Sequence, residues 1–217
     1  MKSSSNNRLN AIIDGLMCAS NMALKHADMP LARMPEFFMA MHVATHFAES
    51  FANFGYRLEA SVKQTLAEAG VDEDEITDLL SQPELRGNGR FDLLLRTGRR
   101  GVPAHIMEFK RGSRSEHLFN DLIRLSYVAR TVHAGSRLET NYLVFTTKKT
   151  EGRLLSMLQE QEKEHLRTHR RARSSVVYSL KRHQEIPHWD KGDAERNPVY
   201  MAVAVFEVTY RHSDVAS

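Results

Sequence analysis

Two carboxylates and one ammonium group stand out between Gly89 and Gly112: Asp92 within Arg90-Phe91-Asp92-Leu93-Leu94-Leu95-Arg96, and Glu108 with Lys110 within His105-Ile106-Met107-Glu108-Phe109-Lys110. Both runs read as strands separated by a Gly-containing turn. Side chains alternate between the faces of a strand, so Glu108 and Lys110 share one face while Met107 and Phe109 take the other. A hairpin centred near Arg100 sets Asp92 opposite Glu108, with directly opposed Cβ atoms about 5 Å apart. Two carboxylates at that separation repel unless a cation lies between them, and a hard divalent ion with oxygen ligands is the usual remedy. The expected chemistry is a magnesium or manganese site with a lysine beside it.

The charge around these residues supports that expectation. From Arg86 to Arg114 there are eight Lys or Arg residues and two acids, and the two acids are Asp92 and Glu108. The competing explanation is an exposed hairpin carrying an ordinary cross-strand Glu–Lys pair, which contributes about a few tenths of a kcal/mol.

An Asp, a spacer of this length, and then Glu-x-Lys at a strand end resembles the PD-(D/E)XK nuclease superfamily with its restriction-endonuclease-like core. The motif falls on Asp92, Glu108 and Lys110, with Phe91 where the family nominally has proline. The resemblance covers about Met34 to Lys149 and identifies no subfamily. It implies a mixed α/β fold in which a central mixed sheet is flanked by helices, and a nuclease that hydrolyses phosphodiester bonds, in DNA, with Mg2+ or Mn2+. It further implies that Asp92 and Glu108 ligate the metal, that the Phe109 carbonyl is a third ligand, and that Glu36 completes the site or serves a second ion. Lys110 stands beside the attacking water and the scissile phosphate. A glutamine–tyrosine motif marks some exonuclease branches of the family; here Tyr127 has Ile123 where that glutamine falls, so the exonuclease branch is not implied.

Phosphate contacts are expected from Arg90, Arg96, Arg99, Arg100, Arg111 and Arg114. A second basic run, Arg167, Arg170, Arg171 and Arg173, either tracks the backbone further out or ends a helix with cations that favour its dipole. A rival reading keeps the fold and drops the chemistry, giving an inactive nuclease-fold protein that binds nucleic acid or serves in assembly. Another is a regulator that binds nucleic acid through the basic hairpin alone. A homodimer is left open.

The elements that must position these residues follow from periodicity. Arg8 to His26 carries Leu9, Ile12, Ile13, Leu16 and Met17 at helical spacing and predicts an N-terminal helix, over 8–28, behind a polar tail, 1–7. Pro35 opens a second helix from Glu36 to Phe54, with Phe37, Phe38, Met41, Phe47 and Phe51 expected on its apolar face. Tyr56 to Ser61 reads as a short strand, and the acidic segment between Lys63 and Arg86 as a solvated helix. After the hairpin, Ser113-x-x-Glu116 forms a capping box for a helix over 113–134 with Leu118, Leu122, Leu125 and Ala129 in a stripe. Asn141 to Thr147 is a buried-type strand, Glu151 to Thr168 a helix, Ser174 to Leu180 a strand, Lys181 to Asn197 a loop, and Pro198 to Arg211 a final strand. The core is expected over 34–149, with additions over 150–217, in one domain of 217 residues.

Composition limits the alternatives. Hydrophobic residues make up 41% and charged residues 26%, which suits a globular chain, and the net charge of +3 is small but unevenly spread. Cys18 is the single cysteine, so neither an intrachain disulfide nor a thiolate metal cluster can form. No apolar span is long enough to cross a bilayer and the start lacks a signal-peptide core, so the expected setting is cytoplasmic, away from membranes. His42 and His46, four apart with Glu49 beyond, have zinc-ligand spacing but lack the catalytic glutamate of a His-Glu-x-x-His protease. The Met-rich first half, including Met34, Met39 and Met41, reads as core filling.

Overall fold

The computed structural model describes residues 4–82, 85, 89–98, 101–168, 177–186 and 200–210. Its centre is a six-stranded mixed sheet in the order β1-β2-β3-β4-β6-β5, formed by β1 (Phe54–Ser61), β2 (Arg90–Thr97), β3 (Pro103–Lys110), β4 (Thr140–Thr147), β5 (Tyr178–Glu185) and β6 (Ala202–Thr209). Strands β1, β2 and β3 run antiparallel in sequence order, and β4 joins β3 in parallel. A parallel neighbour requires a crossover, and helix α5 (Ser115–Thr131) supplies it. The chain then adds β6 antiparallel to β4, with β5 on its outer edge.

Helices cover both faces, because strands whose two sides are apolar must be buried on both. On one side lie α1 (Ser5–Ala27) and α2 (Glu36–Ser50), where Ile12, Leu16, Met39, Val43 and Phe47 pack with Leu93, Met107, Phe109 and Val144. On the other lie α3 (Val62–Glu68), α4 (Glu73–Leu80), α5 and α6 (Glu151–Thr168), where Leu66, Ile76, Leu122, Leu125 and Leu158 meet Leu94, Ile106, Leu143 and Phe206. Gly15 lets α1 approach α2, since a Cβ there would come within 2.9 Å of the Val43 Cα.

Several expected boundaries move, each for a physical reason. The polar tail is shorter: α1 begins at Ser5, capped by the Ser4 hydroxyl, which accepts from the Asn7 amide. Ser5 then donates to Glu207 on β6 and Arg8 to the Tyr142 hydroxyl on β4, so polar residues near the start are anchors of the extra helix. In α2 the buried face is Met39, Ala40, Val43, Ala44 and Phe47, while Phe37 and Met41 are 47% and 38% exposed. The acidic segment forms two helices, broken near Gly70, whose φ of 81° suits glycine. The expected capping box is absent: Arg114 is the cap of α5 and makes no side-chain capping bond, while Ser113 bonds Thr147 at the end of β4 and Lys149 just after it. Strand β5 runs from Tyr178 through Glu185, including residues expected in a loop, because an edge strand tolerates the polar run Lys181–Glu185. Residues 174–176 of the expected strand lie outside the described residues.

Candidate active site

The β2–β3 register pairs Leu93 with Met107 and Leu94 with Ile106 and ends there; just beyond it, Asp92 lies close enough for its charge to act on Glu108. Ile106, Glu108 and Lys110 alternate onto the face covered by α5. Asp92 Oδ2 accepts a hydrogen bond of 2.7 Å from the Phe109 amide, which ties the end of β2 to β3. The Phe109 carbonyl accepts from Lys110 Nζ at 2.9 Å, so one lone pair of the expected metal-ligating oxygen is occupied. The three residues of the motif therefore converge through strand pairing and backbone bonds.

Glu108 is 2% exposed, and its Oε1 accepts from Arg124 of α5 at 2.9 Å. Burial pushes its carboxyl well above the usual range; the nearby Asp92 and Asp121 charges push the same way, against Arg124 and Lys110. Lys110 lies 3.3 Å from Asp121 Oδ2 and 3.7 Å from Glu36 Oε2. Burial works against its charge, but Asp121, Glu108, Asp92 and Glu36 together hold the ammonium above its ordinary pKa. The cluster thus contains four carboxylates against two cations, Lys110 and Arg124, a surplus of two negative charges when all are ionised.

Glu36 sits in the first turn of α2, and its Oε1 accepts from the Arg111 amide at 3.2 Å. It stands across Lys110 rather than in a carboxylate group with Asp92 and Glu108. Among the described residues, no three His, Cys, Asp or Glu side chains are grouped to hold a metal ion by themselves.

Lys110 and Glu36 open into a cleft of about 410 Å³, whose wall continues through Arg111, Gly112, Arg114 and His117. A second cleft of about 430 Å³, between α4 and α5, is lined by Glu75, Asp78 and Arg130, with the opposite balance of charge. Of the expected phosphate contacts, Arg111 and Arg114 line the first cleft, and Arg90 is exposed at the start of β2. Arg96 is not available: it is 9% exposed and its guanidinium is committed to Glu68, which also binds Arg57 at 3.1 Å. Arg99, Arg100, Arg170, Arg171 and Arg173 lie outside the described residues.

Sequence reasoning missed Asp121, Arg124 and His117. The signal for the first two was a pair of opposite charges three residues apart, interleaved with the stripe Leu118, Leu122 and Leu125 of a helix that follows Lys110 directly. The zinc reading finds no support: His42 packs edge-on against Phe38 with centroids 4.5 Å apart, and His46 faces Asp14 at 3.9 Å. Among the described residues, no helix is long and apolar enough to cross a membrane. No family model, curated protein or solved structure matches the chain.

Proposed function

We propose that this chain is a divalent-metal-dependent nuclease that hydrolyses phosphodiester bonds in DNA, with the PD-(D/E)XK arrangement on Asp92, Glu108 and Lys110. The observation that carries the reading is that Asp92 accepts from the Phe109 amide, between Glu108 and Lys110, and its charge acts on both, with Lys110 opening into a cleft walled by Arg111 and Arg114. The order of elements agrees with it: helix α2, three antiparallel strands, helix α5, and a strand parallel to the third.

The donor set fits Mg2+ or Mn2+. Carboxylate oxygens are hard ligands, and Mg2+ is commonly bound through one or two carboxylates with waters and substrate phosphate. Asp92 and Glu108 would hold the ion, whose positive charge would offset the burial and the Asp92 charge that push the Glu108 carboxyl up. When bound, it supplies an acidified water and stabilises negative charge on the phosphate. Lys110 contributes a fixed positive charge that orients the nucleophile and offsets the charge developing on the phosphate. Glu36 steadies both Lys110 and the Arg111 backbone at the cleft wall. Arg111 and Arg114 hold the flanking phosphates, with no information about base sequence. A nucleic-acid enzyme of this kind would act in the cytoplasm.

The inactive, nucleic-acid-binding reading draws on one specific observation: Glu108 is already paired with Arg124, and Lys110 with Asp121 and Glu36. Asp92→Asn separates the two. Under the nuclease reading, this variant loses cleavage and retains DNA binding; under the binding reading, neither protein cleaves and the variant binds like the wild type.

A further inference from the structure

The proposed chemistry uses Glu108 and Lys110 but gives no part to the two charged residues that α5 buries against them. Asp121 and Arg124 are each 3% exposed. They lie three residues apart on the helix, a rise of about 4.5 Å, while Glu108 and Lys110 are two apart on the strand, about 6.6 Å. One helix face therefore meets one strand face with charges matched in sign: Arg124 to Glu108 at 2.9 Å and Asp121 to Lys110 at 3.3 Å.

Arg124 is itself fixed at further points. Its second terminal nitrogen donates to the Arg90 carbonyl at 2.9 Å, and its guanidinium lies 4.6 Å from the centre of the Phe91 ring. That bracing runs to Arg90 and Phe91 of β2, the two residues before Asp92. Buried ion pairs are a poor means of packing a helix on a sheet, because desolvation offsets much of the attraction, and Leu118, Leu122 and Leu125 already perform that packing. Charges at 121 and 124 fit a task that needs geometry.

We infer that Asp121 and Arg124 are positioning residues for the Glu108–Lys110 pair. Arg124 holds one oxygen of Glu108 and leaves the other for the metal, and Asp121 holds the Lys110 ammonium at the mouth of the cleft. The inference rests on the nuclease reading. It assigns the two residues separable effects, one on metal binding and one on turnover.

The test compares wild type, Asp121→Asn, Arg124→Met and Arg124→Lys in three measurements: thermal melting, Mn2+ binding by calorimetry, and cleavage of labelled DNA across Mn2+ and DNA concentrations. Arg124→Met weakens Mn2+ binding and raises the half-activating Mn2+ concentration by about ten-fold or more, and Arg124→Lys recovers part of the loss. Asp121→Asn lowers kcat by about ten-fold or more and leaves KM and Mn2+ binding near wild type. A wild type that cleaves beside variants that match it, or that lose activity only in step with their folded fraction, overturns the positioning role and leaves the nuclease reading standing. A wild type that neither binds Mn2+ nor cleaves overturns both.

Discussion

Asp92, Glu108 and Lys110 were legible because two simple rules act on them, the two-residue period of a strand and the symmetry of a hairpin about its turn. Arg96, expected from its charge to contact phosphate, is instead bound to Glu68, a partner that only tertiary structure brings to it. His105, on β3 with Glu108 and Lys110, carries a different consequence. Burial, helped by the charge of Arg8, lowers its imidazole to about 3, and its Nδ1 lies 2.7 Å from the Thr140 carbonyl. Its ordinary value is 6.5, so below that pH the unfolded chain takes up a proton that the folded chain refuses. This contribution to stability is complete above pH 6.5 and is lost as pH falls toward 3, by about 1.4 kcal/mol per pH unit. Melting between pH 7.5 and 5 checks it: His105→Asn, which keeps a donor for Thr140, has a flatter decline than the wild type. An equal slope in both proteins contradicts the assignment.

At the scale of elements, helices and central strands were readable from apolar spacing, whereas edges and contacts between helices were not. Strand β5 escaped because its polar half resembles a loop; what makes it a strand is the pairing of Arg182–Glu185 with β6, a partner that lies beyond it in the chain. The buried face of α2 was displaced for a related reason. Its Phe residues suggested one stripe, but the surface it meets is set by α1 and the sheet, which select Met39, Ala40, Val43 and Ala44. Gly15 marks that meeting. In an isolated helix, Gly→Ala stabilises by about 1 kcal/mol. Here the added methyl would lie 2.9 Å from the Val43 Cα, so Gly15→Ala is expected to destabilise the protein by about 1–3 kcal/mol in urea unfolding. A gain in stability would show that α1 and α2 can separate freely.

Over the whole molecule, the net charge of +3 says little, while its placement separates a basic cleft at Lys110, Arg111 and Arg114 from an acidic one at Glu75 and Asp78. If DNA occupies the basic cleft as proposed, its affinity is expected to fall steeply with salt, with Arg111→Ala or Arg114→Ala each lowering the slope of log K against log salt by about 1. Arg96→Ala leaves that slope unchanged and instead lowers stability, because its guanidinium is bound to Glu68. An unchanged slope in both cleft variants would place the nucleic acid elsewhere on the surface. Catalysis is tested by cleavage of plasmid, linear duplex and single-stranded DNA and of RNA in Mg2+ or Mn2+, with wild type beside Lys110→Ala and a chelator control. The expected result is DNA cleavage by the wild type that disappears in both controls. Absence of cleavage with every substrate and both metals, or cleavage that survives in Lys110→Ala, would contradict it.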